Sequence, residues 1–167
     1  MLGVFALFSV VGLSLADPWV QTPTLESCSD ATDVQMSDLT ITDAIIRKTV
    51  SVNFTLTINK ELGEDPKVIV SLRRKDGSEI GCIEGIGSCT YKLCKGSTGK
   101  DRNVKSVSDA KCPIAATKIQ KSMRAPLGFM IQFAIGSVPT TLTVRFEVTN
   151  GGTTVGCQSF KFDVRKR

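Results

Sequence analysis

The stretch Glu79–Cys94, EIGCIEGIGSCTYKLC, places Cys82, Cys89 and Cys94 close together, and a polar loop then leads to Cys112-Pro113. Four of the six cysteines thus pin the middle of the chain, with apolar alternating runs before and after them. Segments held this way cannot separate far, so the strands on either side are expected to close into a stapled β shell. A shell of this kind usually encloses something.

The alternating runs carry the fold. Val50, Val52, Phe54, Leu56 and Ile58 interleave with Ser51, Asn53, Thr55 and Thr57, the period of a half-buried strand. Lys67–Arg74 repeats the pattern through Val68, Val70 and Leu72. Lys75-Asp76-Gly77-Ser78 then predicts a hairpin turn into Glu79–Cys82. Pro126 onward alternates Leu127, Phe129, Ile131, Phe133 and Ile135 with other residues and is read as a strand. Leu142, Val144, Phe146 and Val148 follow on another, and Asn150-Gly151-Gly152 turns the chain into a last strand through Cys157, Phe160, Phe162 and Val164. Earlier, Val34, Met36, Leu39 and Ile41 suit a short first strand. Residues 113–123 stay open between a short helix begun by Pro113 and extended structure. The fold class expected from the alternation is all-β, a two-sheet sandwich or β-cup.

The first sixteen residues, MLGVFALFSVVGLSLA, are uncharged and almost wholly apolar. They are too short for a bilayer span and end in small residues at Ser14 and Ala16, as a signal peptide does. Six cysteines also suit an oxidising compartment. The chain is therefore expected to be secreted or lysosomal, with 1–16 removed near Ala16 and 17–167 forming one domain large enough for a real core. The net charge of +5 gathers at Arg73-Arg74-Lys75, at Lys118–Arg124 and at Arg165-Lys166-Arg167. Such patches favour anionic partners, including phospholipid head groups and sialylated glycolipids. Nucleic acid is not expected, because one Tyr and one Trp offer few stacking platforms.

No histidine is present, which removes the Ser-His-Asp and Cys-His arrangements and the commonest metal ligand. Glu61, Glu64 and Asp65 sit in a turn where charge is the solvated choice. The C-x6-C-x4-C spacing lacks a zinc knuckle. No catalytic residue, metal or cofactor is expected. Asn53-Phe54-Thr55 is an N-glycosylation sequon whose asparagine falls on the polar phase of its strand.

Six cysteines allow fifteen pairings, and spacing chooses none. The order Cys28, Asn53-Phe54-Thr55, Ile86-Gly87-Ser88-Cys89-Thr90-Tyr91, Cys94, Cys112-Pro113 and Val155-Gly156-Cys157 resembles the ML lipid-recognition family, most closely its ganglioside-activator branch. The resemblance spans essentially the whole of 17–167. It implies the pairs Cys28–Cys157, Cys82–Cys89 and Cys94–Cys112. It also implies a non-catalytic lipid-transfer protein that lifts a glycolipid, phospholipid or sterol from a membrane and presents it to an acceptor or a glycosidase that it activates. Vertebrate activators carry a fourth cysteine pair in a longer insertion, which the shorter Cys94–Cys112 segment lacks.

In that family two splayed sheets leave an apolar cavity for acyl chains. The candidate lining here is Val52, Phe54, Leu56, Val70, Leu72, Phe129, Ile131, Phe133, Leu142, Val144, Phe146, Phe160 and Phe162, each equally explained as ordinary sandwich core. Ala125–Met130, with Ile83 and Ile86 in the disulfide loop, reads as an apolar rim. There Leu127, Phe129 and Met130 would dip into a bilayer while Lys118, Lys121 and Arg124 meet anionic head groups. A lipid sensor of innate immunity and a disulfide-rich effector without cargo are the competing functions.

Overall fold

The computed structural model of the chain describes residues 17–63, 65–94 and 111–166. The apolar run 1–16 and nearly all of the polar excursion, 95–110, lie outside the described residues.

In chain order the strands are β1 (Val20–Gln21), β2 (Glu26–Thr32), β3 (Val34–Thr42), β4 (Thr49–Ile58), β5 (Lys67–Arg73), β6 (Glu79–Ile80) and β7 (Cys89–Lys92). Then come β8 (Thr117–Pro126), one short helix α1 (Phe129–Ile135), β9 (Thr140–Asn150) and β10 (Thr153–Val164). One sheet has the order β1-β3-β4-β8. The other runs β2-β10-β9-β5-β6, with β7 also beside β5. All these pairings are antiparallel. The chain is an immunoglobulin-like two-sheet sandwich stapled by three disulfides, Cys28–Cys157, Cys82–Cys89 and Cys94–Cys112.

Period-two patterning explains the layers. Val50, Phe54, Leu56 and Ile58 of β4 are buried against Val68 and Leu72 of β5, Leu142, Val144, Phe146 and Val148 of β9 and Phe160 of β10 in one core. The turn residues do what their chemistry predicts. Gly77 takes a φ of 84° between β5 and β6, and Ser78 donates its hydroxyl and its amide to Asp76 Oδ1. Those bonds, the hydroxyl first, hold the Asp76 carboxyl below its usual range. Gly151 and Gly152, at φ 59° and 85°, close the β9–β10 hairpin, the double left-handed turn that such a hairpin requires.

The sandwich is closed on one side and open on the other. On the closed side Gln158 of β10 reaches across to β3, accepting from the Met36 amide at 2.5 Å and donating to the Met36 carbonyl at 3.1 Å. Gly156 lets the two backbones approach there, since a Cβ would lie 2.1 Å from the Val34 carbonyl oxygen. On the open side, among the described residues, β8 pairs only with β4, and β6 and β7 pair only with β5.

Two segments depart from expectation or resolve it. Residues 113–123, left open by the sequence, are mostly extended and form much of β8. Residues 129–135, expected to be strand, are helical. Leu127, Ile131 and Ile135 are spaced by four, which fits the same face of either a strand or a helix. Gly128 and Gly136 bound the turn, and Gly136, at φ 87°, donates its amide to the Gln132 carbonyl. That glycine, at a positive φ that other residues rarely adopt, stops the helix.

Candidate functional site

Between the sheets lies a cavity of about 200 Å³. The first sheet contributes Met36, Leu39 and Ile41 of β3, Val50, Val52 and Phe54 of β4, and Met123 and Ala125 of β8. The second contributes Val68, Val70 and Leu72 of β5, Tyr91 of β7, alternate residues Leu142–Phe146 of β9, and Phe160, Phe162 and Val164 of β10. Leu127, Ile131 and Ile135 cap one end, and Gly85, Ile86 and Gly87 of the disulfide loop bear on one flank. Among the described residues no charged side chain lines the space, and the one hydroxyl, Tyr91 OH, is already donated to the Gly85 carbonyl at 2.7 Å. Burial pushes the Tyr91 phenol pKa upward. A void without free polar partners does not hold water well. What it favours is hydrocarbon.

The opening follows from exposure. Met36, Leu39, Ile41 and Val164, on the closed side, are buried, whereas Met123 on β8 is 43% exposed while lining the cavity. Val52, Val70, Ile86 and Tyr91 are half-buried. Among the described residues the mouth therefore lies along the edge left unpaired between β8 and the β5–β7 side.

The flank at 82–89 is rigid. Cys82–Cys89 closes it, Ile83 and Ile86 exchange backbone bonds at 2.8 and 2.9 Å, and Leu72 N donates to Ser88 Oγ at 2.9 Å. Gly87, at φ 106°, fits only because it has no side chain: a Cβ would meet the Gly81 oxygen at 2.2 Å.

Ten of the candidate lining residues meet in the cavity: Val52, Phe54, Val70, Leu72, Ile131, Leu142, Val144, Phe146, Phe160 and Phe162. Three do not. Leu56 is fully buried in the core away from the space. Phe129 and Phe133 point into solvent, 74% and 81% exposed, because a helix turns them roughly opposite Leu127, Ile131 and Ile135. The rim assignment changes for the same reason. Leu127 is 6% exposed and lines the cavity, Met130 is 60% exposed, and Ile83 and Ile86 are half-buried.

The three head-group cations are not together. On β8 Lys118 and Arg124 stand opposite Thr57 and Ser51, on the outer face, while Lys121 pairs with Phe54 on the inner face. Lys118 is also eight positions from Pro126, about 27 Å along a strand. An inward lysine on an edge strand guards against pairing with another chain. Asn53 shares the outer face, its amide donating to Thr40 Oγ1 at 3.4 Å, with Val52 and Phe54 turned to the cavity. The sequence reading missed Met36, Leu39, Ile41, Val50, Val68, Tyr91, Met123, Ala125, Ile135 and Val164 as lining; most belong to the same alternating inward faces and carried that signal.

Among the described residues no group of His, Cys, Asp or Glu is placed to hold a metal ion. No family model matches the chain, and no curated protein matches it in sequence. Among solved structures it is similar to a Niemann-Pick type C2 protein from Japanese carpenter ant at 13% identity and TM-score 0.49, over 85% of this chain and 99% of that one. It is similar to the C-terminal domain of wzt at 7% identity and TM-score 0.48, over 87% and 78%. It is also similar to chicken MD-1, solved with lipid IVa, at 12% identity and TM-score 0.37, over 85% and 99%. Likeness at these scores goes no further than the general run of a β-rich chain.

Proposed function

We propose that this protein is a non-catalytic lipid carrier that takes a hydrocarbon tail between its sheets, lifting a glycolipid or phospholipid from a membrane for presentation to an acceptor. The observation that carries this reading is the cavity: among the described residues its lining is apolar, the edge that leads to it is unpaired, and no buried side-chain polar atom is left unsatisfied. Its 200 Å³ exceeds the ~150 Å³ of an apolar cavity that stays dry and accepts benzene. It falls short of the roughly 300–1,000 Å³ of sites for drug-sized ligands. As it stands, the space suits part of one tail, and a longer or doubled tail requires the unpaired edge to part. Each methylene moved from water into such a lining gains about 0.8 kcal/mol.

Passage through the secretory pathway, a glycan on Asn53, contact with anionic membrane and activation of a glycosidase belong to the same proposal. The carrier reading is tested by native mass spectrometry of the protein secreted from eukaryotic cells. A one-to-one adduct of lipid mass, removed by organic extraction, is expected. Bare protein that also fails to take a fluorescent fatty acid would instead fit an effector without cargo.

A further inference from the structure

The two walls beside the mouth are held in opposite ways. The loop 82–89 is tied by a disulfide, two backbone bridges and the Tyr91 hydroxyl. The segment carrying α1 is not. Leu127 exchanges backbone bonds with Arg47 and Lys48, both 2.9 Å, and pairing resumes at Thr140. Between them, among the described residues, one side chain ties 128–139 to the rest of the molecule through hydrogen bonds. Arg74 donates from Nε to the Ala134 carbonyl at 2.9 Å and from Nη2 to the same oxygen, while Nη1 donates to Ser78 Oγ at 2.8 Å. That guanidinium sits at the C-terminal turn of α1, where carbonyls lack helical partners and a cation is favoured.

The helix has two unlike apolar sides. Leu127, just before it, with Ile131 and Ile135 closes the cavity, and Phe129, Met130 and Phe133 face solvent. Three large apolar side chains on one short element are more than scattered surface hydrophobicity. Arg47, Arg73, Lys75, Arg124 and Arg165 are exposed on the strand ends and turns of this same end, against Asp76 and Glu79 on the β5–β6 turn and Asp163 on β10. The excess positive charge matches an anionic lipid surface.

From this we infer that α1 is an interfacial lid: Phe129, Met130 and Phe133 enter the head-group layer of an anionic bilayer, and Arg74 is the latch that keeps the lid on the cavity in water. Gly128 and Gly136 bound the moving piece. The inference rests on the carrier reading for its purpose, but its docking and latch are measurable without any cargo.

Two variants separate the parts. F129S/F133S changes exposed side chains only. It is expected to lose at least tenfold in binding to phosphatidylcholine vesicles containing phosphatidylserine, with affinity for cis-parinaric acid in solution within twofold of the parent. R74Q is expected to raise amide hydrogen exchange at least tenfold over 128–136 while the amides of β4 and β9 keep their protection. Unchanged vesicle binding by F129S/F133S overturns the docking face. So does a protein dimer that the double variant dissolves, because the occupant is then a second copy. Unchanged exchange in R74Q overturns the latch. If docking and latch behave as expected but cis-parinaric acid binds no variant, the lid stands and the carrier reading fails.

Discussion

At the scale of single residues, Gly87 and Tyr91 fix the rigid flank of the mouth. Gly87→Ala forces a side chain onto the Gly81 carbonyl at a positive φ, so it is expected to lower unfolding free energy by about 1–3 kcal/mol, read by urea titration. Tyr91 gives a pH signature. Its phenol titrates above its ordinary value of 10.0 because burial disfavours the phenolate. Above that value the unfolded chain loses the proton first, so stability falls as pH rises from about 10 towards the folded value. Urea midpoints measured between pH 9 and 11.5 should therefore drop more steeply for the parent than for Tyr91→Phe. Equal slopes would mean that the phenol is not held in apolar surroundings.

At the scale of elements, α1 and β8 show where a sequence stops speaking. Positions 127, 131 and 135 satisfy a period of two and a spacing of four at once, and the phenylalanines at 129 and 133 completed the strand pattern without belonging to the inward face. Nothing local distinguishes the two; the glycines at 128 and 136 were the available hint. β8 was ambiguous because Lys121 occupies an inward position between Ile119 and Met123, a charge that edge strands tolerate and that breaks the expected alternation. The helical assignment has a plain consequence. Ile131→Ala should cost about 2–5 kcal/mol, whereas Phe133→Ala should stay within about 0.5 kcal/mol, both from denaturant unfolding. A strand over these residues would make the two losses comparable. A helix this short is marginal alone in water, so its packing and the Arg74 contact hold it.

At the scale of the molecule, the two sheets, most strands and both glycine turns were legible from alternation and turn chemistry. The cavity was not, because the same side chains fill a core or line a gap, and only the separation of the sheets decides. Nor did spacing choose the disulfides. Cys28–Cys157 joins β2 to β10 across a sequence separation of 129. The chain-entropy model assigns so long a loop about 4–5 kcal/mol, and C28A/C157A is expected to lose that much in denaturant unfolding while keeping its β circular dichroism. The closed side, with Gln158 and Gly156, holds the sheets together, and the proposed entry of a tail is on the other side. The most direct test of that arrangement is a titration of cis-parinaric acid into the parent and into Val70→Phe, which puts a larger ring on a half-buried lining position at the mouth. Saturable one-to-one binding by the parent, weakened at least tenfold in the variant with its fold intact, is the result predicted. Equal binding by both, or none by the parent, would contradict a tail-binding cavity between the sheets.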